Sequence, residues 1–145
     1  MKSLRRSLIG FCLVACAGLF GAELSTVPFF VGKQQFKPGD AIVIDQVLAT
    51  SPRLDVGTKM VVRGHYRLAT ADKARLGLFL THRGFSSSSG DASAASQTAL
   101  AVHDGGSFEL SCEITYEGDP HISFYPASAG EAFGGIYFSP VPQKS

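Results

Sequence analysis

Histidine is the residue type in this chain with the widest chemistry, because an imidazole can bind a metal ion or transfer a proton near neutral pH. The chain has four histidines: His65, His82, His103 and His121. No two show the spacing of a metal motif such as H-x-x-x-H, and no cysteine pair accompanies them. His82, His103 and His121 fall at the predicted ends of strands, and a composite site would make the protein a small metal-dependent or hydrolytic enzyme. The simpler interpretation is that each histidine is solvated.

Nucleophilic catalysis lacks a motif. There is no G-x-S-x-G elbow, and Ser107 directly follows a Gly-Gly turn. Cys112 falls at an inward position of a predicted strand between Glu109 and Glu113, so we expect an unreactive thiol with a raised pKa that fills the core. The scattered aspartates do not form a calcium loop. The sequence therefore predicts a non-catalytic protein with no metal site and no cofactor.

Two tyrosines are the candidates for ligand contact. Tyr125 follows Phe124, and Tyr137 lies between Ile136 and Phe138. Period two directs both tyrosine rings outward if these apolar neighbours face the core. The intervening residues are rich in Ala, Ser and Gly, so the two strands can pair as a hairpin that leaves the rings uncovered. We predict that Tyr125 and Tyr137 contact a cell-wall, polysaccharide or protein ligand. The alternative, that each ring only covers a neighbouring strand, stays open.

The elements that must position these side chains are strands, because the apolar residues alternate with period two. The run FELSCEITY at residues 108–116 places its apolar members on one face. Similar runs occupy residues 41–48, 60–68, 76–80, 98–102, 122–124 and 136–138. In the run at 98–102, Thr98, Leu100 and Val102 are the residues assigned to the apolar face.

The fold expected from these runs is all-β. A turn at residues 104–106 predicts a hairpin to the strand that begins at Phe108, and residues 69–74 allow at most one helical turn. About seven strands without a convincing helix predict an antiparallel immunoglobulin-like β-sandwich at residues 38–140. An N-terminal extension at 23–37 precedes this domain, and a short tail at 141–145 follows it.

Residues 1–22 have the layout of a secretory signal peptide. Three cations precede an apolar run that is shorter than the roughly 20 residues needed to cross a bilayer, and small residues follow it. Two ways of processing stay open. The sequence LVAC at residues 13–16 resembles the bacterial lipobox, which would place a lipid on Cys16; otherwise the leader is cut after Ala22 or Ala17. The protein is therefore expected to be exported and to be periplasmic, extracellular or lipid-anchored, with membrane contact only through that lipid.

The composition of the chain limits the classes of partner that the protein is expected to bind. The 145 residues suffice for one domain, and the 45% hydrophobic content supports a core. Without the three leader cations, 10 basic residues face 12 acidic ones, a net charge of −2. This balance argues against nucleic acid or an anionic membrane surface as an electrostatic partner. Residues 84–96 are small, polar and almost uncharged, and they predict a mobile loop.

Three segments carry a resemblance to a known group of proteins: GDAIVIDQV at 39–47, VVRGHYRLATADKA at 61–74, and GDPHISFYPASAGEAFGGIYF at 118–138. With the Gly-Gly turn, they resemble a family of small secreted bacterial proteins of uncharacterised function that has an immunoglobulin-like sandwich. The resemblance spans roughly residues 38–139 and implies that fold, but it implies no site. The expectation from the whole sequence is an exported, non-catalytic binding or structural module of the cell envelope.

Overall fold

The computed structural model of the protein describes residues 23–83 and 98–144. Within these ranges the regular structure is all strand, with nine strands in chain order. They are β1 (Ser25–Thr26), β2 (Phe29–Gln35), β3 (Ala41–Ala49), β4 (Lys59–Arg67), β5 (Lys73–His82), β6 (Thr98–Val102), β7 (Gly106–Glu113), β8 (Gly118–Pro126) and β9 (Gly134–Pro140). No helix in these ranges is long and apolar enough to cross a bilayer.

The strands form two antiparallel sheets, which confirms the all-β sandwich. The four-stranded sheet has the order β1-β3-β4-β7, and the five-stranded sheet has the order β2-β9-β8-β5-β6. The consecutive strands β3 and β4 pair within one sheet, and β8 and β9 pair within the other.

The strands β1 and β2 lie in the segment assigned above to an N-terminal extension, and they raise the number of strands from about seven to nine. Each is the outermost strand of one sheet. Between them, Val27 is buried in the core, and its N–H donates to the carbonyl of Val47 at 2.8 Å. The segment at residues 23–37 therefore takes part in both sheets.

The core lies between the two inner faces, because period two directs every second side chain of each strand inward. Its largest fully buried members are Phe124, Phe138, Ile42, Met60, Leu68, Leu76, Leu78, Leu80, Leu110, Ile114, Ile122 and Val27. The alternation predicted for the strand that contains Cys112 is confirmed: Phe108, Leu110 and Cys112 are buried.

The face assigned to β6 was wrong by one residue. Ala99 and Ala101 face the core, while Leu100 is 61% exposed. Residues directly opposite each other on paired strands share a face, and Ala101 lies opposite the buried Ala74 of β5. In a run where small and larger apolar residues alternate, composition does not select the inner face, and the pairing with β5 does.

The hairpin predicted at residues 104–106 was also wrong. The turn at Asp104 and Gly105 does not close a paired hairpin, because β6 belongs to the five-stranded sheet and β7 to the four-stranded sheet. Both turn residues have a positive φ, and the turn carries the chain across the sandwich. Residues 69–74 contain no helical turn. The buried carboxylate of Asp40 instead accepts the N–H groups of Ala69 (2.8 Å) and Thr70 (3.1 Å).

Candidate functional site

The hairpin of β8 and β9 holds both tyrosines singled out from the sequence. The two strands pair antiparallel, with Ile122 opposite Ile136 on the core face. Tyr125 and Tyr137 have the opposite parity, so both lie on the outer face of the five-stranded sheet. Both are half-buried.

The two tyrosines are not direct neighbours on this face. Tyr137 lies opposite His121, which is four residues before Tyr125 on β8, about 13 Å along the strand. Phe79 and His121 fill the interval. The ring centroids are 5.3 Å apart for Tyr125–Phe79, 6.2 Å for Phe79–His121 and 4.8 Å for His121–Tyr137. We refer to these four residues, Tyr125, Phe79, His121 and Tyr137, as the ring row.

A line of small residues beside the ring row leaves room for neighbouring side chains to pack flat against the sheet. Gly77 on β5, Ser123 on β8 and Gly135 on β9 are direct cross-strand neighbours. A Cβ at Gly77 would collide with the ring of Phe79, and one at Gly135 would collide with the hydroxyl of Ser123. The glycines therefore leave the space that the Phe79 ring and the Ser123 side chain occupy.

His121 does not match the solvated strand-end residue expected from the sequence. It is the fourth residue of β8, it is only 4% exposed, and its ring lies between those of Phe79 and Tyr137. Its Nδ1 is 2.9 Å from the hydroxyl oxygen of Ser123. The expectation was wrong because β8 begins at Gly118, four residues before the run predicted at 122–124, so His121 lies within the strand.

The three histidines of the composite metal site lie in different places. His82 ends β5 and stacks on Tyr116 with a centroid distance of 3.7 Å. His103 adjoins the first residues of β5, since its N–H donates to the carbonyl of Asp72. The ten residues of β5 span about 30 Å, which separates His82 from His103. In the described parts of the chain, no group of three His, Cys, Asp or Glu side chains is placed to hold a metal ion.

The two ends of the ring row differ in charge. At the Tyr125 end, the guanidinium of Arg75 lies 5.8 Å from the Tyr125 ring centroid, and its Nε donates to the carbonyl of Pro126 at 3.2 Å. At the Tyr137 end, the tyrosine hydroxyl is 3.0 Å from the hydroxyl of Thr81. The ion pair of Arg83 with Asp119, which has a closest distance of 3.1 Å, lies on the same side of the row.

Exposed aliphatic side chains extend this face toward β6. Leu100 lies opposite Arg75 and Val102 lies opposite Lys73, and both aliphatic side chains are exposed. The edge of the sheet at Val102 is closed by Tyr66, whose hydroxyl accepts the N–H of Val102 at 3.1 Å. Arg75 therefore lies between Tyr125 and Leu100, and the exposed aliphatic side chains lie beyond it on the edge strand.

The outer face of the four-stranded sheet is polar in comparison. Arg63 pairs with Glu109 at 2.6 Å, and His65 pairs with Asp45 at 2.9 Å. His65 is exposed, as its alternation with buried residues predicted. These ion pairs make the face hydrophilic, and it carries none of the aromatic rings of the ring row.

A cleft of about 240 Å³ lies on the four-stranded sheet where β4 and β7 pair. Its lining residues are Leu24, Lys59, Met60, Val61, Ser111, Cys112 and Glu113. Cys112 is buried, and burial raises the pKa of its thiol to about 12. The cleft lies on a different sheet from the ring row.

Comparisons with protein-family models, with known proteins and with solved structures each found no match to this chain. The leader with Cys16 and the low-complexity segment at 84–96 lie outside the described residues, so export, lipidation and the mobile loop stay predictions.

Sequence reasoning missed Phe79, Arg75 and His121 as members of the candidate site. The signal for Phe79 and Arg75 was present, because Leu76, Leu78 and Leu80 were assigned to the core face. Phe79, between Leu78 and Leu80, and Arg75, directly before Leu76, then point outward by parity. For His121, the proline before it concealed the strand.

Proposed function

We propose that this protein is an exported, non-catalytic binding module of the cell envelope whose ring row contacts a cell-wall polysaccharide. The observation that carries this proposal is the contrast between the two outer faces of the sandwich. One bears the exposed pairs Arg63–Glu109 and His65–Asp45. The other bears the half-buried rings of Tyr125, Phe79 and Tyr137, the exposed Leu100 and Val102, and a single ion pair at its Tyr137 end. A cluster of aromatic rings with exposed aliphatic side chains on the same face of a small domain is typical of an interaction site.

The ring row suits a sugar because its rings are held in place before any ligand arrives. Tyr125 packs edge-on against Phe79, and Tyr137 is fixed by His121 and by the hydroxyl of Thr81. A rigid ring that exposes part of its surface offers contact area at a small entropic cost. Hydroxyl and guanidinium groups beside the rings provide hydrogen bonds to a polar ligand.

Export by the leader at residues 1–22 is part of the same proposal, and so is the relationship to small secreted bacterial proteins with an immunoglobulin-like sandwich. The lipobox-like sequence supports an anchor on Cys16. Mass analysis of the mature protein distinguishes the two forms: a lipidated cysteine at the N-terminus, or an unmodified N-terminus at Gly18 or Glu23. In the first case a Cys16→Ala change releases the protein from the membrane fraction.

The binding test is co-sedimentation of the purified protein with insoluble cell-wall polysaccharide. Tyr125→Ala and Tyr137→Ala are each expected to weaken retention by about 2–10-fold, the range of one aromatic contact. The matched control is His65→Ala on the opposite face, which should retain full binding. Melting temperatures are measured in parallel, because Tyr137 also covers His121. Unchanged retention in both tyrosine variants, or a stability loss typical of a core residue, would reject this face as the site.

A further inference from the structure

The guanidinium of Arg75 is held in one orientation on the outer face of the five-stranded sheet. Its Nε donates to the carbonyl of Pro126, and its planar group lies over the Tyr125 ring. These contacts leave the two terminal nitrogens as donors. Because the guanidinium is planar and always charged, its fixed donors match the geometry of a carboxylate.

Lys73 adds a second positive charge beside Arg75. The two residues are separated by one position on β5, so their side chains leave the same face about 7 Å apart along the strand. Lys73 is exposed and its partner on β6 is Val102, an uncharged residue. The pair therefore forms a local positive patch at the Tyr125 end of the ring row.

Neither cation of this patch is neutralised by a carboxylate in the part of the chain that the structure describes. Among the described residues, no carboxylate lies within 4.0 Å of Arg75 or Lys73, whereas Arg63 and Arg83 each have a carboxylate partner. Leu100, opposite Arg75, adds an apolar wall, and an apolar neighbour strengthens an ion pair formed beside it.

From this geometry we infer that Arg75 and Lys73 form an anion subsite, and that the polysaccharide bound by the ring row carries carboxylate groups. The inference rests on the proposed function and names the class of its ligand. A sugar ring stacks at Tyr125, and its carboxylate accepts hydrogen bonds from the terminal nitrogens of Arg75 while Lys73 adds a second contact. The net charge of −2 for the chain without its leader opposes general attraction to polyanions, so recognition depends on this local patch.

The test compares two forms of one polymer, polygalacturonate and its methyl ester, which share a backbone and differ in charge. Affinity electrophoresis is expected to show at least tenfold stronger retardation by the acid form, a preference that weakens as NaCl is raised. Arg75→Gln and Lys73→Gln should each reduce the preference. Arg53→Gln, which removes an exposed cation from the turn between β3 and β4, should leave it unchanged.

The outcomes separate the inference from the proposed function. If both polymers bind equally and Tyr125→Ala weakens both, the anion subsite is rejected while the binding face is retained. If the acid form binds better but the preference survives in Arg75→Gln and Lys73→Gln, the subsite lies elsewhere and the inference fails. If neither polymer binds while cell-wall polysaccharide still sediments the protein, a carboxylate-bearing ligand is rejected. Binding to none of the three materials rejects the proposed function as well.

Discussion

Cys112 provides a quantitative test of how β7 lies in the sandwich. Cys112 is only 6% exposed, and burial raises the pKa of its thiol from 9.0 to about 12. Only the thiolate reacts with disulfide reagents. At pH 8 the thiolate fraction is therefore on the order of 10⁻⁴ in the folded protein and 10⁻¹ in the unfolded chain. The expected difference in labelling rate is about a thousandfold, before any steric shielding is added.

The assay is the absorbance change of a chromogenic disulfide reagent at pH 8, with and without guanidinium. Cys112→Ala identifies the signal of this thiol, since Cys12 and Cys16 of the leader would also react in an unprocessed chain. Slow labelling that becomes rapid on unfolding is the expected result. Native labelling within tenfold of the unfolded rate would mean that Cys112 points outward and that the inward face of β7 is off by one residue.

The same shift gives a pH dependence of stability. The folded protein keeps the proton to a higher pH than the unfolded chain, so the stabilising contribution is complete below about pH 9 and is lost as the pH rises toward 12. The free energy of unfolding, measured by denaturant titration, should therefore fall more steeply with pH above pH 9 for the parent protein than for Cys112→Ala. The same pH dependence of the free energy of unfolding in both proteins would contradict the raised pKa of Cys112.

Three further predictions concern local structure. Gly64→Ala places a methyl group against the Val43 carbonyl and should lower stability by about 1–3 kcal/mol. In the control Gly32→Ala, the added methyl group meets only ordinary contacts at 3.5 Å and should cost little stability. Thermal unfolding of the two variants measures the difference. Asp40→Ala removes three hydrogen bonds and should cost about 2–5 kcal/mol by chemical denaturation. Hydrogen bonds from Ser51 and Thr58 lower the pKa of Asp55. The stabilising contribution of Asp55 is therefore present above its pKa in the unfolded chain and is lost as the pH falls through its lower pKa in the folded protein. NMR titration of Ser51→Ala should show that the pKa of Asp55 has moved upward.

The sequence was sufficient for the sandwich where apolar and polar residues alternate cleanly. In β7 and β9, large apolar residues occupy every second position, and burial follows parity. In the interior strand β8, by contrast, five consecutive residues from Pro120 to Phe124 are buried. The strand β2 gave no such signal, because it is an edge strand whose side chains are exposed at six of seven positions. Because β2 is held by backbone pairing with β9, its sequence shows no alternation of apolar and polar residues.

The candidate site was predictable only in part, for a related reason. Parity alone places Tyr125 and Tyr137 on the outer face, but the distance between them depends on the register of β8 against β9. That register puts His121, not Tyr125, opposite Tyr137, and pairing with β5 then inserts Phe79 between the two tyrosines. Register is a property of paired strands, and a single run of residues does not encode it.

The pairing of β2 with β9 also constrains the order in which the molecule can be built. Phe30 lies opposite Ser139, so among the described residues β2 has its sheet neighbour in a strand that is synthesised much later. The five-stranded sheet cannot be completed before β9 has been synthesised, and its completion depends on a contact between distant parts of the sequence, which is intrinsically slow to form. A nascent chain of this protein therefore stays incompletely folded at least until β9 has been made. Truncation before Gly134 would leave β2 without its partner and arrest folding at the same stage.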